Sequence, residues 1–158
     1  MTDPTPDWPV ADFDPVRRLH VIAAATPGAR VGEVLIAAPF ERVWALAQDL
    51  ERTMPLWIPD VRTVRLCAPP DADGRRVARI HGHSRLRATF TIDLTPGWCL
   101  MQSRFVLGGM AAHPETEETT RFAFLGGLRF PGARYAAPLL RPFTGSPLAR
   151  FERLLAQP

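Results

Sequence analysis

The stretch that decides the fold runs from residue 36 to residue 66, IAAPFERVWALAQDLERTMPLWIPDVRTVRL. Its hydrophobic period changes twice. Just before and into it, VGEVLIA at 31–37 is rich in β-branched residues and reads as a strand. Phe40, Val43, Trp44 and Ala47 then recur at i, i+3, i+4 and i+7, which predicts one apolar stripe on a helix over 39–49. Pro39 suits the first helical position, and Glu41 in the first turn lies where the helix dipole favours a negative charge. A second short helix is predicted over 50–56, stopped by Pro55 and Pro59. VRTVRLC at 61–67 returns to an extended pattern.

Downstream the pattern stays extended. After the turn PPDADG at 69–74 come RRVARIHGH at 75–83 and LRATFTIDL at 86–94. In the latter, Leu86, Ala88, Phe90, Ile92 and Leu94 alternate with polar residues, the mark of a half-buried antiparallel strand. A turn at 95–97 leads to CLMQSRFVL at 99–107, read as one strand with Cys99, Met101, Ser103, Phe105 and Leu107 on its apolar face. A polar loop at 113–118 precedes TTRFAFLGG at 119–127, whose Phe122 and Phe124 share a face. Turns this short imply an antiparallel meander. Residues 133–157 are helical in composition. Ser146 followed by Pro147 predicts a helix start, with Leu148, Phe151 and Leu155 as its stripe. Pro138 and Pro142 make the preceding piece a separate or kinked helix.

Upstream, residues 1–15 carry Pro4, Pro6, Pro9 and Pro15 without periodicity and are expected to form a mobile arm. RRLHVIAAA at 17–25 reads as extended. Residues 16–158 are then one domain, the usual size for 158 residues.

Composition narrows the function. All 19 basic residues are arginine, and the net charge is only +3. Along the chain the arginines are scattered, with no basic helix or aromatic-interleaved cluster, so nucleic-acid binding is not expected. No apolar run approaches the roughly 18 residues that span a bilayer, so stable membrane insertion is not expected either. The acidic, proline-rich start lacks the features of a secretory signal, which points to the cytoplasm. Cys67 and Cys99 are far apart and are read as free thiols.

The order of strand, two short helices, meander and C-terminal helix resembles the START-like (SRPBCC) superfamily, which includes polyketide cyclase/dehydrase and lipid-transport proteins. The residues that carry the resemblance are Ala38-Pro39 opening a helix, Val43-Trp44 within it, Asp49-Leu50, then Trp57 and Pro59 before the next strand. The hairpin DLTPGWCLMQSRF at 93–105 also fits. The resemblance covers about residues 20–157 and speaks for fold more than for reaction. It implies an α+β helix-grip fold, a curved antiparallel sheet wrapped around a C-terminal helix, with two short helices after the first strand gating an apolar cavity. One departure is plain: Pro138, Pro142 and Pro147 interrupt a helix that in the family is long and continuous.

Alternation nominates the cavity wall. Ile80, Phe90, Ile92, Met101, Phe105, Phe122 and Phe124 are its apolar candidates, with Met54 and Trp57 at the gate. Tyr135, Leu139 and Phe143 are candidates on the closing segment. Ser84, Ser103 and Thr120 are the polar groups best placed to orient a ligand, or equally to bond backbone. His81 and His83 share one strand face with Arg79 and Arg85, which disfavours a metal pair and places them on an outer face. A bulge at Gly82 would turn one inward. Arg104 falls on the polar parity. No metal site and no cofactor are expected. The leading function is binding of an apolar small molecule (lipid, isoprenoid or aromatic metabolite) as carrier or sensor, by a monomer or homodimer. The alternative is a polyketide cyclase or aromatase, which would need His81, His83 or Arg104 inside as an acid/base group.

Overall fold

The computed structural model describes residues 12–136 and 141–157. Asp14 opens the first element: its carboxylate accepts a hydrogen bond from the Arg17 backbone N–H at 2.9 Å, and Pro15 follows at the first turn. The result is helix α1 (Pro15–Ala25), where an extended segment was expected at 17–25. The reason is tertiary. Val16, Leu19, Ile22 and Ala23 form a stripe at helical spacing that finds an apolar sheet face to cover.

Strand β1 (Ala29–Ile36) follows, then helices α2 (Phe40–Gln48) and α3 (Leu50–Trp57). Val43, Trp44 and Ala47 are buried, as their spacing predicts. Pro39 is the N-cap of α2 and not its first helical residue. Pro55 does not stop α3 but lies inside it. The helix ends where the Ile58 N–H reaches the Met54 carbonyl at 3.0 Å.

Six further strands complete the sheet: β2 (Val61–Leu66), β3 (Arg75–Gly82), β4 (Arg87–Thr95), β5 (Trp98–Gln102), β6 (Val106–Pro114) and β7 (Thr120–Leu128). All pairs are antiparallel, in the order β1-β7-β6-β5-β4-β3-β2, so β1 closes onto the far end of the meander. Residues 99–107 are not one strand. Ser103 makes a turn there: its N–H donates to the Val106 carbonyl at 2.9 Å, and its hydroxyl accepts from the Val106 N–H at 3.0 Å. The turn resets the parity, so Leu107 packs on the outer face and Phe105 sits at the turn, 52% exposed. Helix α4 (Ala133–Ala136) and helix α5 (Arg141–Leu155) end the chain. Pro147 lies within α5 rather than at its start, at the loss of one helical hydrogen bond.

The sheet has two covered regions. Its inner face packs on α2, α3 and the end of α5, through Leu148, Phe151 and Leu155. Trp57 lies at the centre of this core, its ring 5.1–6.1 Å from those of Phe122, Phe124 and Phe151. On the outer face α1 covers β1, β6 and β7 and reaches Trp98 of β5, and Leu19 is buried in a cluster with Trp98, Leu107, Ala111, Ala123 and Leu125. Gly109 makes the close approach possible, since a Cβ there would lie 2.9 Å from Leu19 Cδ1. Arg121 joins Asp14 at 3.3 Å and Glu115 at 2.7 Å, tying the start of α1 to the sheet.

Two measurements check this arrangement. Leu19→Ala should lower the stability by about 2–4 kcal/mol in urea denaturation, the cost of a cavity under α1. A loss under about half a kcal/mol would mean that α1 does not dock. Burial pushes the Asp14 carboxyl up, but the Arg17 N–H, Arg121 and His113 together hold it below its ordinary 3.8. A carboxyl lowered on folding contributes stability in full above its unfolded pKa, and that contribution is lost as pH falls through the folded value. The stability difference between wild type and Asp14→Asn should therefore be full above about pH 5 and shrink below about pH 4; a pH-independent difference would contradict the assignment.

Candidate functional site

Between the inner face and the helices the packing is incomplete. A cavity of about 370 Å³ opens at the end of the sheet where β3 turns into β4, β5 into β6, and β7 ends. Met54 and Ile58 line it from α3 and its C-cap. Ile80, Phe90, Met101 and Phe124 line it from four strands. Leu86, 69% exposed, stands at its rim.

The void has a definite origin. Gly108 and Gly126 face it from β6 and β7, directly opposite each other in register. A side chain at either place would point inward with Val106, Met110 and Phe124. A Cβ at Gly126 would touch nothing closer than 3.8 Å, so the missing side chain is open space. Leu-Gly-Gly occurs at 107–109 and again at 125–127, but only the strand register sets the two inward glycines opposite each other. The inward glycine of each copy empties the cavity, and Gly109 admits α1 from outside.

Among the described residues the lining contains one ionisable group, Asp60. Its carboxylate accepts from Ser84 twice, from the backbone N–H at 3.0 Å and from the hydroxyl at 2.9 Å. Its carbonyl accepts from the His83 N–H at 2.8 Å. Asp60 therefore pins the turn at 83–86 to the end of α3 and presents no free acid to the interior.

The sequence candidates divide. Met54, Ile80, Phe90, Met101 and Phe124 line the cavity, while Ile92, Phe122 and Trp57 are fully buried core beside it. Ser84 and Ser103 are held in turns, and the Thr120 hydroxyl donates to the Ala38 carbonyl at 2.8 Å. Phe105 lies outside under the Arg104 guanidinium, 5.0 Å from the ring. Tyr135 is 74% exposed beside a surface cleft at 25–28 and 128–133. Leu139 and the side chain of Phe143 lie outside the described residues. His83 and Arg104 are exposed, and His81 lies in a groove on the opposite sheet face.

That groove, of about 920 Å³, was not legible in the sequence. Arg62, Arg65, Arg79, Arg85 and Arg87 line it with His81, so arginines scattered along the chain converge in space. Among the described residues no three His, Cys, Asp or Glu side chains are placed to hold a metal ion. No helix among them is long and apolar enough to cross a membrane.

No family model and no curated protein matches this sequence. Solved structures do. A START superfamily protein from Mycobacterium smegmatis is 17% identical with a TM-score of 0.54, over 81% of this chain and 94% of that one. The Zhui aromatase/cyclase of Streptomyces sp. R1128 is 18% identical with a TM-score of 0.56, over 80% and 90%. A protein of Thermus thermophilus is 22% identical with a TM-score of 0.59, over 80% and 96%. The chain has the START-like helix-grip fold, and at these identities the likeness speaks for the fold alone.

The two thiols are opposites. Burial, with a smaller push from the nearby Asp93 charge, raises Cys99 to about 12, whereas Cys67 is exposed. A disulfide reagent at about pH 8 should modify Cys67 quickly and Cys99 only after denaturation, because the thiolate is the reactive form. Fast modification of both in the folded protein would show that the Cys99 side of the core opens.

Proposed function

We propose that this protein binds a small apolar molecule in the cavity between sheet and helices, as a carrier or sensor. The observation that carries this reading is the cavity lining: almost wholly apolar, emptied by paired glycines, with its one carboxylate committed to Ser84. Its volume is near the lower end of the roughly 300–1,000 Å³ of small-molecule sites, which suits one chain or one or two rings. Met54 and Met101 give a wall that adapts to shape. The cytoplasm is the proposed place of action.

The alternative is a cyclase or aromatase, which needs an acid/base group at the substrate. The three candidates for that role, His81, His83 and Arg104, are absent from the lining, so binding is the better supported reading. Ser84, Ser103 and Thr120, each already hydrogen-bonded, are proposed to shape the wall rather than to contact the ligand.

The test is native mass spectrometry of the protein purified from the organism that encodes it, with organic extraction of what co-purifies. An apolar compound in stoichiometric amount, unchanged on incubation, is the expected result. Gly126→Leu should fill the void, lose the compound and keep its melting temperature. A Gly126→Leu protein that retains the compound would sink the cavity reading, and a compound converted on incubation would make the protein an enzyme.

A further inference from the structure

The arginine groove on the outer face is built from three strands. Thr63, His81 and Arg87 lie in one cross-strand row, and Arg65, Arg79 and Thr89 in the next. Arg65 and Arg79 are direct cross-strand partners, an arrangement that like charges destabilise. Among the described residues none of the five groove arginines is in an ion pair, and no acid lines the groove. Arg85 adds a second cost. It holds φ at +66°, a left-handed conformation that glycine adopts more cheaply. An anion would relieve the repulsion, and the cost of an arginine at the left-handed position is offset by a charge for it to bind.

The groove and the cavity are neighbours. Gly82 borders both, at the turn where β3 hands over to β4. Arg85 and Leu86 are consecutive there, one lining the groove and the other the rim of the cavity. Asp60 is the one acid at this rim, and Ser84 takes up its carboxylate.

The size of the groove limits the anion. Across the strands it spans about 10 Å, room for two or three linked phosphates. Among the described residues its lining has no Phe, Tyr or Trp on which a base could stack.

We propose that the ligand is amphiphilic: its apolar part enters the cavity, and its diphosphate-bearing head lies across the turn at 83–86 on Arg79, Arg85 and Arg87. This rests on the cavity reading above and adds the chemical class of the ligand. Arginine forks bind phosphate oxygens in pairs, and Thr63 and His81 supply further donors.

Calorimetric titration with farnesol, farnesyl diphosphate and inorganic diphosphate tests it, on wild type, Arg79→Ala/Arg87→Ala and Arg85→Gly. Farnesyl diphosphate should bind at least about tenfold more tightly than farnesol, from two or more charge-assisted contacts. Inorganic diphosphate should compete with it. The advantage should fall with salt and vanish in the double variant, while farnesol binds both proteins equally. Arg85→Gly should bind farnesyl diphosphate more weakly yet melt at a higher temperature, a split that a purely structural residue would not give. Equal binding of alcohol and diphosphate by wild type, or an advantage that survives the double variant, would overturn the amphiphile and leave the cavity standing. Failure of both probes to bind wild type would overturn both readings.

Discussion

Trp57 holds the two layers of the domain together. It ends α3, and its indole packs edge-on against Phe122 and Phe124 of β7 and Phe151 of α5. Phe122 and Phe151 also stack on each other at 4.2 Å between centroids. Each such ring pair contributes about 0.5–1.5 kcal/mol beyond the area it buries. The cluster also carries a cost, since the Trp57 indole N–H is buried without a hydrogen-bond partner among the described residues, about 1–3 kcal/mol. Several ring contacts offset one orphan donor, so the site holds. The helices grip the sheet at this point, and everything beyond it is free to be left open.

The cavity begins where the rings stop. Phe124 belongs to the cluster and also lines the void, and the next residue on its face, two positions along β7, is Gly126. One strand thus supplies both part of the aromatic cluster and part of the cavity wall. A cavity costs stability in proportion to its volume. Here that cost is carried next to a rigid aromatic cluster, which keeps the wall from collapsing into the space.

The outer face is divided in the same way. Over β1, β6, β7 and the start of β5 it is apolar and covered by α1, with Arg121 and Asp14 fastening the start of the helix. Over β2, β3 and β4 it is uncovered and lined with arginine. Both halves of the sheet alternate in and out with period two, yet they turn different chemistry outward. Apolar residues on both faces of β6 and β7 mark strands buried on both sides, and arginine–apolar alternation on β2 and β3 marks strands buried on one.

Whatever depends on neighbours along the chain could be read from residue order. The switch from period 3.6 to period 2 across residues 36–66, the inward set on β4, and the short turns of the meander are local signals, and they define the helix-grip order. Tertiary contacts settled whatever a local signal left balanced. The 17–25 segment became helix because a glycine-notched sheet face was available to bury Val16 and Leu19. The strand at 99–107 broke because Ser103 closed a turn, and that single reset carried Leu107 to the outside. The cavity needed Gly108 and Gly126 to come opposite each other, and the groove needed arginines from three strands to align. Such juxtapositions are set by strand register, which links residues distant in the chain and leaves no mark on either segment alone.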